Sequence, residues 1–261
     1  MTKQLHLDIL PQPDEMTCGP TCLHAVYRYF DDEQPLPAVI RETQALAEGG
    51  TLAVLLGCHA LSRGYQATIY TYNLAVFDPT WFVKQVEHRS RDSDTAPTDP
   101  TAVELIPRLQ AQMKAKSSSK LQIASKAYIH FLERGGQIRM RELNAALIRR
   151  FLKRSVPILT GLSSTYLYQC ERELEDGSSD DIRGKPTGHF VVLCGYDPKE
   201  RSVRVADPYL PNPLGEEHFY EVGLDRLVCA ILLGVLTHDA NLLIIEPGPR
   251  SDRGSPKSSI I

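Results

Sequence analysis

The chain has 261 residues, of which 42% are hydrophobic and 23% charged, with a formal net charge of -3. That composition suits a globular protein of roughly one or two domains and carries no basic excess of the kind a nucleic-acid-binding surface needs, so no nucleic-acid partner is expected. The longest apolar run, residues 229–236, falls far short of the ~20 residues a membrane span requires.

The N-terminal stretch MTKQLHLDILPQPDEM has its apolar residues interrupted by Asp8 and Pro11, which is not the pattern of a secretory signal. A cytoplasmic location is the expectation, and the six cysteines are then expected to be reduced thiols, mostly buried. Residues 5–10, LHLDIL, alternate apolar and polar and predict a short strand. Residues 21–30 predict a helix with Cys22, Leu23, Val26, Tyr27 and Phe30 on one face. Pro20 suits its first turn, where a missing N–H costs nothing. Further helices are expected over 36–49, stopped by Gly49-Gly50, and over 52–64, ending at Gly64, followed by a strand over 65–73.

Asp78-Pro79 opens a helix expected to run to about residue 88, with Asp78 as its cap. The polar, proline-containing stretch 89–100 predicts a loop. Helices are expected over 101–116 and 122–134, a short strand at 137–140 and a basic-ended helix over 141–154. The second half turns strand-rich: 156–162, 189–197 and 202–208, then a helix near 223–230 and the apolar strand LLIIE. The tail 247–261, rich in Pro, Gly and Ser, is expected to be disordered. A helix-rich first half and a strand-rich second half argue for an α+β domain.

Three residues fall where cysteine chemistry needs them. Cys18 stands at a helix start, where the dipole and free N–H groups favour a thiolate. His189 follows Gly188 and opens a strand, and Asp207 closes the next strand. A short turn joins the two strands, so antiparallel pairing brings His189 toward Asp207. An imidazole so placed can activate the thiol and protonate a leaving amine, and a carboxylate can orient it. Gln12, six residues before Cys18, offers a side-chain amide for an oxyanion, alongside the Cys18 N–H.

These residues carry a resemblance. Gln12, Cys18-Gly19-Pro20, the strand GHFVVLCGYD and the stretch VRVADP resemble the papain-like cysteine peptidases, most closely the bacteriocin-leader peptidase (C39) branch and its stand-alone members. The resemblance implies a papain-like fold, with a nucleophile-bearing helix packed on an antiparallel sheet that carries His and Asp. It implies Cys18 as nucleophile, His189 as general base, Asp207 as its orienting partner and Gln12 as oxyanion residue. It also implies one peptidase domain over 1–246. The match covers about 10–30 and 156–210, so 75–150 reads as a helical insertion. The leader peptidases' own substrate, a segment ending in Gly-Gly, is not carried over.

Plainer readings stand beside these. A lone cysteine is most often buried core, and Cys22 is read that way. Cys18, Cys22 and His24 make half of a zinc pattern, but no second pair with zinc spacing follows, so no metal is expected. No phosphate-cradling loop is present, so no organic cofactor is expected. The long connection 163–188 contains Glu171, Glu173, Glu175, Asp176, Asp180 and Asp181 against Arg172. Its plain reading is a solvated loop; the sharper one is an acidic rim drawing basic peptides, with Tyr166 and Tyr168 either lining a substrate pocket beside Glu171 and Glu173 or packed into the fold. The expected activity is hydrolysis of amide bonds in a peptide or protein substrate. Acyl transfer or deamidation through the same thioester, and a non-catalytic peptide-binding module, are the alternatives.

Overall fold

The structure is a computed structural model that describes residues 3–43, 50–83, 100–237 and 239–248. In chain order it has β1 (Lys3–Gln4), α1 (Cys18–Tyr29), α2 (Leu36–Glu42), α3 (Ala53–Ser62) and β2 (Tyr65–Thr71). There follow α4 (Ala102–Ala115), α5 (Ser119–Glu133), β3 (Gln137–Arg139), α6 (Ala145–Lys153), β4 (Ile158–Ser163) and α7 (Ser164–Tyr168). The chain continues with β5 (Gly188–Asp197), β6 (Ser202–Ala206), β7 (Phe219–Gly223), α8 (Leu224–Leu233) and β8 (Asn241–Pro247). It is an α+β fold. The strands form one sheet in the order β3-β2-β8-β4-β5-β6-β7, antiparallel except for the β2–β3 pair. β4 pairs with β5 only as far as Leu193, and β1 takes up the vacated edge at Gly195 and Tyr196.

Local chemistry explains most boundaries. Asn144 caps α6 by accepting from the Leu147 N–H, and Ser118 caps α5 through the Leu121 N–H. Gly64, at φ +85°, ends the α3 turn in a conformation only glycine takes freely. Asp78 caps as expected, accepting from the Thr80 N–H, but opens a one-turn 3-10 helix, Pro79–Phe82. The helix expected over 36–49 stops at Glu42, where Thr43 turns extended at ψ 123°; residues 44–49, the continuation expected from 84 to 88, the loop over 89–99 and the tail from 249 lie outside the described residues.

One expectation needs correcting. Residues 5–10 form no strand, because the ladder is confined to Lys3–Gln4. Their alternation records burial instead: Leu5, Leu7 and Ile9 all point into the core, while only the Leu5 N–H reaches β5, at the Cys194 carbonyl. Three elements had no forecast, β1, α7 and β7. They are two, five and five residues long, too short for a period to declare itself.

Helix α1 is buried from Cys18 to Tyr27 and packs on β5. Gly19 makes this possible. A Cβ there would stand 2.6 Å from the Thr51 Cγ2 atom and 3.2 Å from the Phe190 ring, closer than a carbon can sit without displacement. The glycine after Cys18 is therefore a packing requirement that lets the helix start approach the sheet. No side chain caps α1: Thr17, at that position, turns its hydroxyl to the Asp14 carbonyl, 3.0 Å away.

Beneath α3 lies a buried carboxyl. Asp239 accepts from the Ala53 N–H at 3.0 Å and from Asn241 Nδ2 at 3.1 Å, and burial pushes it up to about 7. A folded value above the unfolded one near 4 means the native state holds this proton more tightly. Its contribution is full below pH ~4 and is lost as pH rises through about 7. Asp239→Asn keeps an oxygen acceptor for Ala53 and removes the ionisation. It is expected to stabilise by roughly 2–4 kcal/mol at pH 8.5 and by only about 1 kcal/mol at pH 5, read from urea melts at both pH values. An equal effect at both would rule out the buried ionisation as its cause.

Candidate active site

The site forms where α1, β5 and β6 meet. Cys18 is the first residue of α1 and is 8% exposed; His189, second residue of β5, is 9% exposed. The β5–β6 register pairs Val192 with Ala206, which brings Asp207 level with Val191 and within reach of His189. Nε2 of His189 meets Asp207 Oδ1 at 2.8 Å. With Nε2 committed there, Nδ1 is the ring atom left for Cys18, which lies near enough to act electrostatically on the His189 ring.

Burial alone would lower the His189 imidazole. The Asp207 carboxylate first, and Cys18 after it, reverse that and hold it well above its ordinary value. Asp207 has no exposed surface. Burial pushes its carboxyl up, but His189, the Tyr220 hydroxyl and the Tyr209 N–H outweigh burial and leave it below the ordinary value. The pair is thus an imidazolium facing a carboxylate. Cys22, one turn on from Cys18, is fully buried with Sγ 3.2 Å from the Phe190 carbonyl, and burial raises its thiol well above the usual range. The two cysteines of one helix turn are therefore chemically distinct, the second a core residue as expected.

Gln12 is fastened beside this group. Its backbone N–H donates to the Pro208 carbonyl at 2.9 Å, next to Asp207. Its side-chain Nε2 donates to the Asp14 carbonyl at 2.9 Å, within the turn that leads to Cys18, and its Oε1 is buried with no hydrogen-bond partner. Tyr209, 41% exposed, sets its ring edge-on to His189 with centroids 6.2 Å apart, a partial cover over the imidazole.

The expected substrate-binding residues divide. Tyr168 does not line an open pocket: it is 9% exposed and its hydroxyl donates to Asp207 Oδ2 at 2.8 Å. Tyr166 is exposed and lines a cavity of about 380 Å³ with Thr165, Cys170, Pro186, Leu233 and Leu236. Glu173 lines a second cavity of about 650 Å³ whose wall runs to Gly188, immediately before His189. Glu171 is exposed. The acidic loop is less acidic than its composition suggested. Glu175 pairs with Lys185 at 3.1 Å and Asp180 with Arg183 at 2.6 Å, both cations lying just past the run of acids. Tyr220, unmarked in the sequence reading, donates to Asp207 Oδ2 at 2.7 Å. The aromatic pair at 219–220 ahead of an apolar valine was the available signal for a strand there.

Residues 112–223 match the model of the Peptidase_C39 like family, in agreement with the resemblance read from the motifs. That span includes His189 and Asp207, begins inside the segment expected as an insertion, and starts downstream of Gln12 and Cys18. No curated protein matches the chain. Similar solved structures include a double glycine motif protease from an AMS/PCAT transporter in complex with the leader peptide (12% identity, TM-score 0.42, covering 94% of each chain). They also include a putative C39-like peptidase from Bacillus anthracis (11%, 0.41, 96% of this chain and 100% of that one). Xylellain, a cysteine protease from Xylella fastidiosa, is similar at 13% and 0.42 over 95% of this chain and 86% of that one. Among the described residues no helix is long and apolar enough to cross a membrane.

Proposed function

We propose that this chain is a thiol peptidase, in which Cys18 is the nucleophile, His189 the general acid and base, Asp207 the group that orients it, and Gln12 part of an oxyanion hole. The observation that carries this reading is the 2.8 Å contact of Asp207 with the His189 ring, itself within electrostatic reach of a cysteine at an uncapped helix start. A raised imidazole beside a thiol favours the thiolate–imidazolium pair.

The thiolate of Cys18 adds to the carbonyl carbon of a peptide bond. The oxyanion that forms takes hydrogen bonds from the Cys18 N–H and from Gln12, whose side-chain nitrogen has a second proton beyond the one given to Asp14. The intermediate collapses, the C–N bond breaks, and the imidazolium gives its proton to the departing amine. His189 then takes a proton from water as it attacks the thioester, and collapse of that intermediate breaks the C–S bond, releasing the acid and restoring the thiolate–imidazolium pair. Asp207 keeps Nε2–H pointed away from Cys18 throughout, so Nδ1 stays on the reacting side.

A mixture of unstructured peptides incubated with the wild-type chain and read by mass spectrometry tests the reaction class. New chain ends support hydrolysis. Deamidated glutamines or cross-linked products instead move the reading to transfer of the acyl group. No product of any kind that depends on Cys18 sinks the enzymatic reading.

A further inference from the structure

We propose that Tyr168 and Tyr220 form a two-point clamp that holds the Asp207 carboxylate aimed at His189. They touch no reacting atom and are positioning residues; the inference rests on the reading of Cys18, His189 and Asp207 as the reacting group. An ionised carboxylate has about four lone-pair sites, and in Asp207 each oxygen receives two donors. Oδ1 takes His189 Nε2 at 2.8 Å and the Tyr209 N–H at 2.9 Å. Oδ2 takes the Tyr168 hydroxyl at 2.8 Å and the Tyr220 hydroxyl at 2.7 Å.

The two hydroxyls arrive from separate elements. Tyr168 ends α7, which leaves β4 directly, and Tyr220 lies on β7, paired with Val205 of β6. Convergence of two rigid aromatic side chains on one oxygen fixes the plane of the carboxylate, because rotation about its Cβ–Cγ bond breaks both contacts. It also replaces water at a carboxylate with no exposed surface, and a buried carboxylate without donors takes up a proton instead. Burial, with Asp207 second, pushes both phenols far above their usual range, so both remain donors. The other titratable groups facing Asp207 are His189 on β5, Cys18 and Cys22 on α1, and His218, whose Nδ1 meets the Asp207 main-chain oxygen at 2.6 Å.

The test follows the rate at which iodoacetamide alkylates Cys18 across pH, with the site read by mass spectrometry, in wild type, Tyr168→Phe, Tyr220→Phe and the double variant. An activated Cys18 reacts far below the pH at which a free thiol does. Losing a donor raises the carboxyl of Asp207, and protonating it removes the partner of the imidazolium. The acid limb is expected to move upward with each hydroxyl removed and furthest when both are gone. In an Asp207→Asn background the same tyrosine changes are expected to move the limb no further, since the group they act through is gone. Limbs that stay at the wild-type position in the single and double variants overturn the clamp and leave the hydroxyls as packing. Tyr220, the less buried of the two, provides the result should Tyr168→Phe not fold. If wild-type Cys18 itself titrates like an ordinary thiol, the peptidase reading falls and the clamp with it. An activated wild type with unmoved variants overturns the clamp alone.

Discussion

Replacing Cys18 with alanine is expected to lower peptide hydrolysis by at least about a thousandfold while leaving the melting temperature close to that of the wild type. The two halves of that result have separate physical causes. In the proposed mechanism the Cys18 sulfur is the atom that forms the thioester, and groups that act as a unit lose nearly all their effect when one is removed. The sulfur is not what holds α1 in place. That role falls to the close approach at Gly19 and to the buried residues further along the helix, Leu23, Val26 and Tyr27. Cys22→Ala is the matching control. It removes a fully buried atom 3.2 Å from the Phe190 carbonyl, so it is expected to cost stability by about 1–2 kcal/mol and leave the chemistry intact. Peptide cleavage and thermal melts on the two variants read both effects. Full hydrolytic activity in Cys18→Ala would mean that another group is the nucleophile.

The contrast between the two cysteines was legible in the sequence, because a helix start and an apolar helical face are local patterns. So was the meeting of His189 with Asp207, since a short turn between two strands fixes their register to within a residue or two. What escaped was the environment of the carboxylate. Its donors come from α7 and β7, elements of five residues whose periodicity is too brief to read, and Tyr168 looked like a rim residue because nothing in the sequence says which way α7 turns after β4. The acidic loop carries more cations than the acids quoted for it suggest. Its acids were counted to Asp181, and the cations that answer them, Arg183 and Lys185, come directly after. At residues 5–10 the alternation was real, but burial of one face does not require a ladder partner, and sequence alone cannot separate the two. The family model shows a related asymmetry. It matches the part of the chain that carries the histidine and the aspartate, whereas the cysteine lies outside the matched span.

Removing the carboxylate should be nearly as damaging as removing the thiol, and it should damage the fold as well. In Asp207→Ala, His189 loses the acceptor that fixes its tautomer, so its two nitrogens compete for the proton and Nδ1 no longer faces Cys18 in the reactive form. A fall of about 10³–10⁴-fold in kcat is expected. The Tyr168 and Tyr220 hydroxyls and the Tyr209 N–H also lose their shared acceptor in a region closed to water, at a cost on the order of 3 kcal/mol in total. This loss has a pH signature. The depressed Asp207 carboxyl stabilises the native chain above its unfolded value near 4, and that contribution disappears as pH falls through the folded value, which lies lower. The raised His189 imidazole contributes fully below its unfolded value near 6.5, and its share is lost as pH rises toward about 10. The pair therefore supports the fold most strongly between about pH 4 and 6.5, and the gap in stability between wild type and Asp207→Ala should be widest there. It should narrow both in stronger acid and at alkaline pH. Denaturant melts of the two proteins from pH 3 to pH 10 measure that gap directly. A gap that does not vary with pH would mean that Asp207 acts as a hydrogen-bond acceptor alone, without the charge pairing that the mechanism requires of it.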